Sequence, residues 1–337
     1  MLKQIYLYPI KGLPGQQIPR ANLEVNQGII GDRQYALTLD PTIDGTEWRS
    51  SRAFLINAVT DGLLTAQPDW SSPDNLCKTL PEWAQDAAST DSRPRLVERT
   101  SQMQPTGFWD YPDSQLSIMN LNTLEAVSRA IGAPLDMRRF RGNLIIDGLE
   151  PWSEFGLAGW RCRIGEAEVE FGRPARRCAA TAVNPDTGLR DLPVNNLMVE
   201  QFGHGYFGIY ARVVGSGAIQ PGDTIKTLKP ASKTLQDAVV QGSGPPALWP
   251  KLAHVKSLSR AAQQIELALE PTGHWPLAPE VAEGDIKLHL GAQKTVRTSI
   301  SSSDRGSLLV TAEAGDASQL GEVDDVPAVV VTGPYRR

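Results

Sequence analysis

The chain of 337 residues is longer than a single hydrophobic core usually supports, which predicts roughly two or three domains. Hydrophobic residues make up 41% and charged residues 21%, the composition of an ordinary soluble protein. The net charge of −5 gives no indication of nucleic-acid or membrane binding, and no apolar run reaches the roughly 18 residues of a membrane span.

The N-terminal segment and the cysteines indicate a cytoplasmic protein. Residues 1–8 contain no apolar stretch of signal-peptide length and are typical of a strand. The cysteines, Cys77, Cys162 and Cys178, are too few and too scattered for a disulfide framework, and they lack CxxC spacing. We therefore expect a cytoplasmic location and no zinc or iron–sulfur site held by this chain.

Short strands are predicted at the start of the chain. Alternating apolar residues, separated by Pro and Gly, occupy 3–8, 21–25 and 35–40. Residues 66–113 are rich in Ser, Asp and Pro, which predicts an irregular connection.

One helix is clearly signalled in the middle of the chain. Asn122 and Glu125 form a capping-box pattern before apolar residues at helical spacing, and Gly132 with Pro134 ends the segment. Strands are then predicted at 144–147, 161–164, 167–171 and 206–214.

The character of the sequence changes after residue 228. Residues 232–240 predict a short helix, and the Gly-Ser-Gly-Pro-Pro run at 242–246 predicts a linker. Short alternating strands then recur to the end of the chain and predict a small β-barrel, at 264–269, 285–290, 308–312 and 328–332.

Cys178 is the most informative single residue. It follows Arg176 and Arg177, and cationic neighbours favour the thiolate, the form that attacks electrophiles and binds soft metals. Taken alone, a cysteine is more often a small apolar residue of the core. Other segments of the chain change that balance.

Three further segments carry polar residues without an evident packing role. Lys11 follows the first strand, Arg33 follows a Gly-Asp turn, and Arg141 and Asn143 precede an apolar strand. Each alone is more simply a solvated residue or part of a turn. Together with a thiolate, these cations and the amide suit an anionic, phosphate-bearing metal cofactor.

These motifs, in this order, resemble the MOSC family, which is named for the C-terminal domain of molybdenum cofactor sulfurase. The sequence is most similar to the branch with an N-terminal β-barrel domain, which includes the amidoxime-reducing components. The resemblance covers roughly residues 1–228, and the matching pieces are Tyr8-Pro9-Ile10-Lys11, Gly31-Asp32-Arg33, 139–144, 147–152, 177–178 with 184–188, and 207–210.

The resemblance implies an α+β, β-rich fold. The implied units are an N-terminal MOSC β-barrel domain at 1–90, a MOSC β-barrel with flanking helices at 91–228, a linker at 229–250 and a small β-barrel at 251–337.

The resemblance also implies a molybdenum–pterin cofactor, with Cys178 as the metal ligand and catalytic residue. Ala175 stands where many members have a second Cys, so a second thiol is not expected. The implied cofactor-binding residues are Lys11, Arg33, Ser114, Arg141, Asn143, Arg176 and Tyr210.

The C-terminal unit is similar to the flavin-binding β-barrel of ferredoxin-reductase-type proteins. That family's Arg-x-Tyr-Ser motif appears as Arg297-Thr298-Ser299, without the aromatic residue, and we expect no nicotinamide-binding domain after it. We expect a docking or structural module without flavin, with weak flavin binding as the alternative. No Cys follows Cys178, which rules out an iron–sulfur cluster there.

The leading functional hypothesis from the resemblance is a molybdenum-dependent oxidoreductase that reduces N-hydroxylated small molecules such as amidoximes and hydroxylamines. Its electrons would come from a separate donor protein, such as a ferredoxin, a flavoprotein or a b-type cytochrome. Two alternatives stay open: a non-catalytic carrier of molybdenum cofactor or sulfur, with Cys178 as transfer thiol, and a scaffold without cofactor. Sulfurase activity is not expected, because the chain is too short for an added pyridoxal-phosphate domain.

Overall fold

The computed structural model describes residues 1–58, 60, 63–65, 80, 83–86, 92–103, 107–202 and 204–230, together with the strands that lie between residues 251 and 332. The strands of its first part are β1 (Leu2–Leu7), β2 (Gln16–Ile18), β3 (Ala21–Glu24), β4 (Gly28–Ile29), β5 (Tyr35–Thr38), β6 (Arg95–Glu98), β7 (Leu116–Asn120), β8 (Leu144–Ile146), β9 (Trp160–Ile164), β10 (Ala167–Arg176), β11 (Tyr206–Gly215), β12 (Gly217–Ile219) and β13 (Ile225–Pro230). Two of its helices are α1 (Leu121–Ile131) and α2 (Val194–Phe202).

The main sheet has eight strands in the order β13-β9-β10-β11-β7-β8-β1-β2 and is curled into a half-barrel. Only β7 and β8, which α1 connects, run parallel; the other neighbours in this sheet are antiparallel. The α+β, β-rich fold class is therefore confirmed.

Two smaller sheets complete this part of the molecule. Strands pair in the order β12-β3-β4, and β5 pairs with β6. The main sheet and the three-stranded sheet both join strands from the two sides of residue 90. The separate N-terminal barrel and the domain boundaries stay predictions.

Helix α1 begins two residues earlier than the capping-box pattern indicated. The cap is Asn120, the last residue of β7, whose side chain accepts a hydrogen bond from the Asn122 amide at 3.1 Å. Glu125 pairs with Arg129 at 2.9 Å instead of reaching back to the cap. Gly132 ends the helix as predicted, because its φ of 71° is the left-handed conformation that favours glycine.

The core that covers one face of the sheet is largely aromatic. Trp152, Phe155, Phe202 and Phe207 are fully or almost fully buried between the two helices and the strands. Among the described residues, none of the helices is long and apolar enough to cross a membrane.

The C-terminal strands close into a six-stranded barrel in the order β14-β15-β18-β17-β16-β19. These strands are β14 (Lys251–Ala261), β15 (Gln264–Pro271), β16 (Ile286–Leu290), β17 (Lys294–Asp304), β18 (Ser307–Glu313) and β19 (Val326–Thr332). The predicted helix at 232–240 and linker at 242–246 lie outside the described residues.

Candidate cofactor site

Lys11 lies just after β1 and buries its ammonium group. Its Nζ donates hydrogen bonds to the Phe108 carbonyl and to Asp110 Oδ1, both at 2.9 Å. Burial lowers the pKa of Lys11, although Asp110 opposes the shift. The lysine side chain is 6% exposed and that of Asp110 is 56% exposed, so the ion pair opens to solvent on its carboxylate side.

Asp110, which the sequence did not single out, connects Lys11 with Tyr210. The Tyr210 hydroxyl donates to Asp110 Oδ2 at 3.4 Å, and the Ser51 hydroxyl donates to Oδ1 at 3.0 Å. Lys11 is the main cause that holds the pKa of Asp110 below its usual range. Burial, followed by Asp110, raises the pKa of Tyr210. At neutral pH this arrangement holds a carboxylate beside a protonated phenol.

Arg33 is fixed by the buried carboxylate of Asp32. Its Nη1 contacts Asp32 Oδ1 at 2.8 Å and Oδ2 at 2.6 Å. Asn143 donates to the same Oδ1 at 3.0 Å and accepts from the Ser117 amide at 3.2 Å. Asn143 is thus a buried link between β7, β8 and the Asp32–Arg33 pair, and direct cofactor contact by its amide stays a prediction.

Arg141 lies next to Arg33, and no carboxylate among the described residues pairs with it. Its Nη1 donates to the Leu13 carbonyl, and its own carbonyl accepts from Arg33 Nη2 at 3.1 Å. Within the part of the chain that the structure describes, Arg141 forms no ion pair with a carboxylate. Burial lowers the pKa of Arg141 to about 10. The site therefore carries a positive charge that no described carboxylate pairs with.

Arg177 is a second buried cation of this kind. Its Nε donates to the Phe207 carbonyl at 2.7 Å, and its Nη1 donates to the Phe140 carbonyl at 2.9 Å. Burial is the main cause that lowers the pKa of Arg177. It also forms no ion pair with any described carboxylate, so it adds to the positive potential of the site.

Cys178 leaves its thiol exposed to solvent. Its backbone caps the 3-10 turn Ala179–Ala182, and its carbonyl accepts hydrogen bonds from the Thr181 amide at 3.2 Å and hydroxyl at 3.0 Å. Cys162 differs, because it is buried in β9 and burial raises its pKa to about 12. The predicted ligand is thus an accessible sulfur atom on a fixed backbone.

The loop after Cys178 is tied down at several points. Asn184 Oδ1 accepts a hydrogen bond from the Asp186 amide at 2.9 Å, which closes a turn. Arg190 donates to the Ala179 carbonyl at 3.0 Å, and Arg139 pairs with Asp191 at 2.8 Å. These contacts hold the thiol-bearing segment against the rest of the site.

Two of the predicted site residues, Arg176 and Ser114, differ from the buried cations in their surroundings. Arg176, at the end of β10, is exposed, whereas Arg177 next to it points inward. The Ser114 hydroxyl donates to the Tyr111 carbonyl and accepts from the Tyr111 amide, both at 2.9 Å, and so closes a turn. Cofactor contacts by Arg176 and Ser114 stay predictions.

Four cations from distant segments share one electrostatic environment. The positive charges of Arg33 and Arg141 contribute to the lowered pKa of Lys11. Asp110 and Cys178 both act on the pKa of Arg177 in the raising direction. The structure thus brings Lys11, Arg33 and Arg141 together and adds Arg177 and Asp110 to them, whereas the predicted Arg176 is exposed.

Comparisons with known proteins concern mainly the middle of the chain. Residues 105–226 match the family model described as MOSC domain. The chain is 31% identical over 149 residues to "Molybdenum cofactor sulfurase" of Drosophila grimshawi, which covers 40% of this chain and 19% of that protein. It is 38% identical over 80 residues to "Molybdenum cofactor sulfurase 2" of Culex quinquefasciatus, covering 23% of this chain and 10% of that protein. The chain thus matches only a small part of these relatives.

Solved structures give similarity at low identity. YiiM from Geobacillus stearothermophilus has a TM-score of 0.28 and 23% identity, over 35% of this chain and 55% of that one. The YUAD protein from Bacillus subtilis has a TM-score of 0.36 and 14% identity, over 68% of this chain and 99% of that one.

Proposed function

Because this chain belongs to the MOSC domain family, we propose that it binds a molybdenum–pterin cofactor beside Cys178 and uses it to reduce N-hydroxylated compounds. The observation that carries the proposal is the exposed Cys178 next to the buried Arg177, together with the electrostatic coupling of Lys11 to Arg33 and Arg141. The names of the two curated relatives support the link to molybdenum cofactor.

The donor groups of the site fit an anionic cofactor that contains a soft metal. Arg141 and Arg177 leave positive charge without a described carboxylate partner, which a phosphate group would balance. The described residues contain no group of three His, Cys, Asp or Glu side chains that could hold a metal. A metal at Cys178 would therefore need further ligands from the cofactor, and soft sulfur donors suit such a metal.

Each residue of the site has a role in this proposal. Cys178 would bind the metal, while Lys11, Arg33 and Arg141 would bind the phosphate and pterin. The bound cofactor would supply the electrons that convert the N–O bond of the substrate to N–H and water. The phenol of Tyr210 keeps its proton, since burial raises its pKa, and can donate a hydrogen bond at the edge of the site.

The electrons require a separate donor protein in this proposal. The reaction consumes two electrons and two protons for each hydroxyl oxygen that leaves as water. A ferredoxin, a flavoprotein or a b-type cytochrome could each supply them.

The decisive experiment combines cofactor analysis with turnover. Protein from a molybdenum-replete host should contain molybdenum and pterin, and it should reduce benzamidoxime with an artificial electron donor. Bound cofactor without turnover would favour the carrier. Protein that contains neither molybdenum nor pterin after such expression would refute both functions.

We expect Arg141→Ala to lower cofactor retention more than stability. The variant loses a cation that faces the proposed phosphate, but it also relieves repulsion with Arg33. After dialysis, molybdenum content should fall at least about tenfold, while the free energy of unfolding changes by less than about 2 kcal/mol. Arg129→Ala, which removes an exposed arginine of α1, is the matched control. Unchanged molybdenum content in Arg141→Ala would contradict the phosphate role.

A further inference from the structure

The aromatic ring of Tyr8 lies against two guanidinium groups. The guanidinium carbons of Arg33 and Arg141 are each 4.5 Å from the ring centroid. Tyr8 itself is 3% exposed. A Cβ atom on Gly15 would stand 2.4 Å from ring atoms Cδ1 and Cε1, so the glycine lets the backbone pack directly against the ring. The ring is therefore held in place independently of the arginines.

Arg33 and Arg141 carry like charges and require a stabilising contact to stay close to each other. Like charges that are close and partly buried repel each other, and among the described residues the ion pair of Asp32 is with Arg33. Both residues also have positive φ, 46° for Arg33 and 55° for Arg141, a conformation that residues other than glycine seldom adopt. Such strained conformations persist where the surroundings determine them, and they cluster at binding sites.

We propose that Tyr8 is a positioning residue that holds Arg33 and Arg141 in place for binding a phosphate-bearing anion. The negative face of an aromatic ring attracts guanidinium groups, most strongly where water is excluded. The inference rests on the proposed function only for the identity of the natural ligand. The arrangement of Tyr8, Arg33 and Arg141 would suit any phosphate-bearing anion.

The ring, not the hydroxyl group, should carry this role. Burial raises the pKa of Tyr8 to about 12, against the opposing effects of Arg141 and Arg33. The phenol therefore keeps its proton at neutral pH, and no phenolate charge contributes to the attraction. Phenylalanine at this position should retain the interaction, whereas an aliphatic side chain of similar size should not.

The test measures binding of inorganic phosphate to the full-length chain purified from a host that cannot make the cofactor. By titration calorimetry, Tyr8→Leu should bind phosphate at least about tenfold more weakly than the unchanged protein, and Tyr8→Phe should remain within about threefold. Phe202→Leu, which truncates a buried aromatic residue of α2 near Trp152 and His204, should keep normal affinity. Thermal unfolding of each variant is recorded in parallel.

Several results would overturn the proposal. One is that the unchanged protein does not bind phosphate. Another is that Tyr8→Leu binds phosphate with normal affinity. A third is that Tyr8→Phe or Phe202→Leu binds phosphate as weakly as Tyr8→Leu does. If Tyr8→Leu does not fold, Tyr8→Met replaces it. If Tyr8→Met does not fold either, weaker phosphate binding by Tyr8→Phe would still reject the positioning role of the ring. The predicted phosphate pattern, combined with a chain that contains neither molybdenum nor pterin after expression in a molybdenum-replete host, would refute the proposed function alone.

Discussion

Cys178→Ala is expected to lose benzamidoxime reduction while the protein remains folded. Loss of the proposed metal ligand should reduce turnover at least about 100-fold, since changes at outer-shell partners already cost up to that factor. Because the thiol is exposed, its removal should change the free energy of unfolding by less than about 0.5 kcal/mol. Steady-state rates with an artificial donor and urea unfolding measure the two effects.

Cys162→Ala is the matched control for this prediction. It removes the other described thiol, which is buried in β9, and should destabilise the protein by about 1–2 kcal/mol without affecting turnover. Full activity in Cys178→Ala would reject the assignment of this sulfur as the metal ligand. A loss of the fold in Cys178→Ala would contradict the exposed position of the thiol.

Glu154→Gln is expected to stabilise the protein above pH 7. Glu154 is fully buried, and its Oε2 accepts hydrogen bonds from Thr123 at 2.8 Å and Asn120 at 3.1 Å. Among the described residues, its Oε1 has no hydrogen-bond partner and the carboxyl forms no ion pair. Burial raises the pKa of Glu154 to about 7, so the folded protein favours the neutral acid.

The sign of the pH dependence follows from this shift. An unfolded chain releases the proton near its ordinary pKa of 4.5, whereas the folded protein retains it up to about 7. The stabilisation that neutral Glu154 contributes is therefore complete below pH 4.5. It is lost progressively as the pH rises to about 7. The loss amounts to about 3 kcal/mol above pH 7.

The experiment compares urea unfolding of the unchanged protein and Glu154→Gln between pH 5 and pH 8.5. Glutamine keeps an acceptor oxygen but cannot ionise. The free energy of unfolding of the variant should therefore not fall as the pH rises. Glu125→Gln, on the exposed face of α1, serves as the control, and its free energy of unfolding should fall with pH as that of the unchanged protein does. Parallel pH curves for the unchanged protein and Glu154→Gln would contradict a raised pKa at this position.

Periodicity predicted most strands because their apolar residues alternate regularly. Among the strands it missed are β6, a four-residue strand inside a polar segment, and β17, whose run of Ser and Thr offers little apolar contrast. It also placed the cap of α1 too late, because β7 runs directly into the helix and its last residue is the cap.

The candidate site shows a different limit of sequence reasoning. Motif order singled out Cys178, but it could not decide whether Arg176 or Arg177 points inward. Register irregularities of β10 near Pro174 break the alternation that would have decided it. Asp110 was missed because its role depends on Lys11, which lies 99 positions away in the chain. Long-range pairing of this kind leaves no local pattern.

The interior position of β1 in the main sheet affects how the protein can be synthesised. This strand is synthesised well before β8, yet its Ile5 pairs with Leu144 of β8. At about 5–20 residues per second, β8 follows roughly 7–30 s later. Until then, β1 has only β2 as a neighbour in this sheet, and Leu2 and Ile5 have no core to enter. Nascent chains of this protein should therefore depend on chaperones that shield apolar segments during translation.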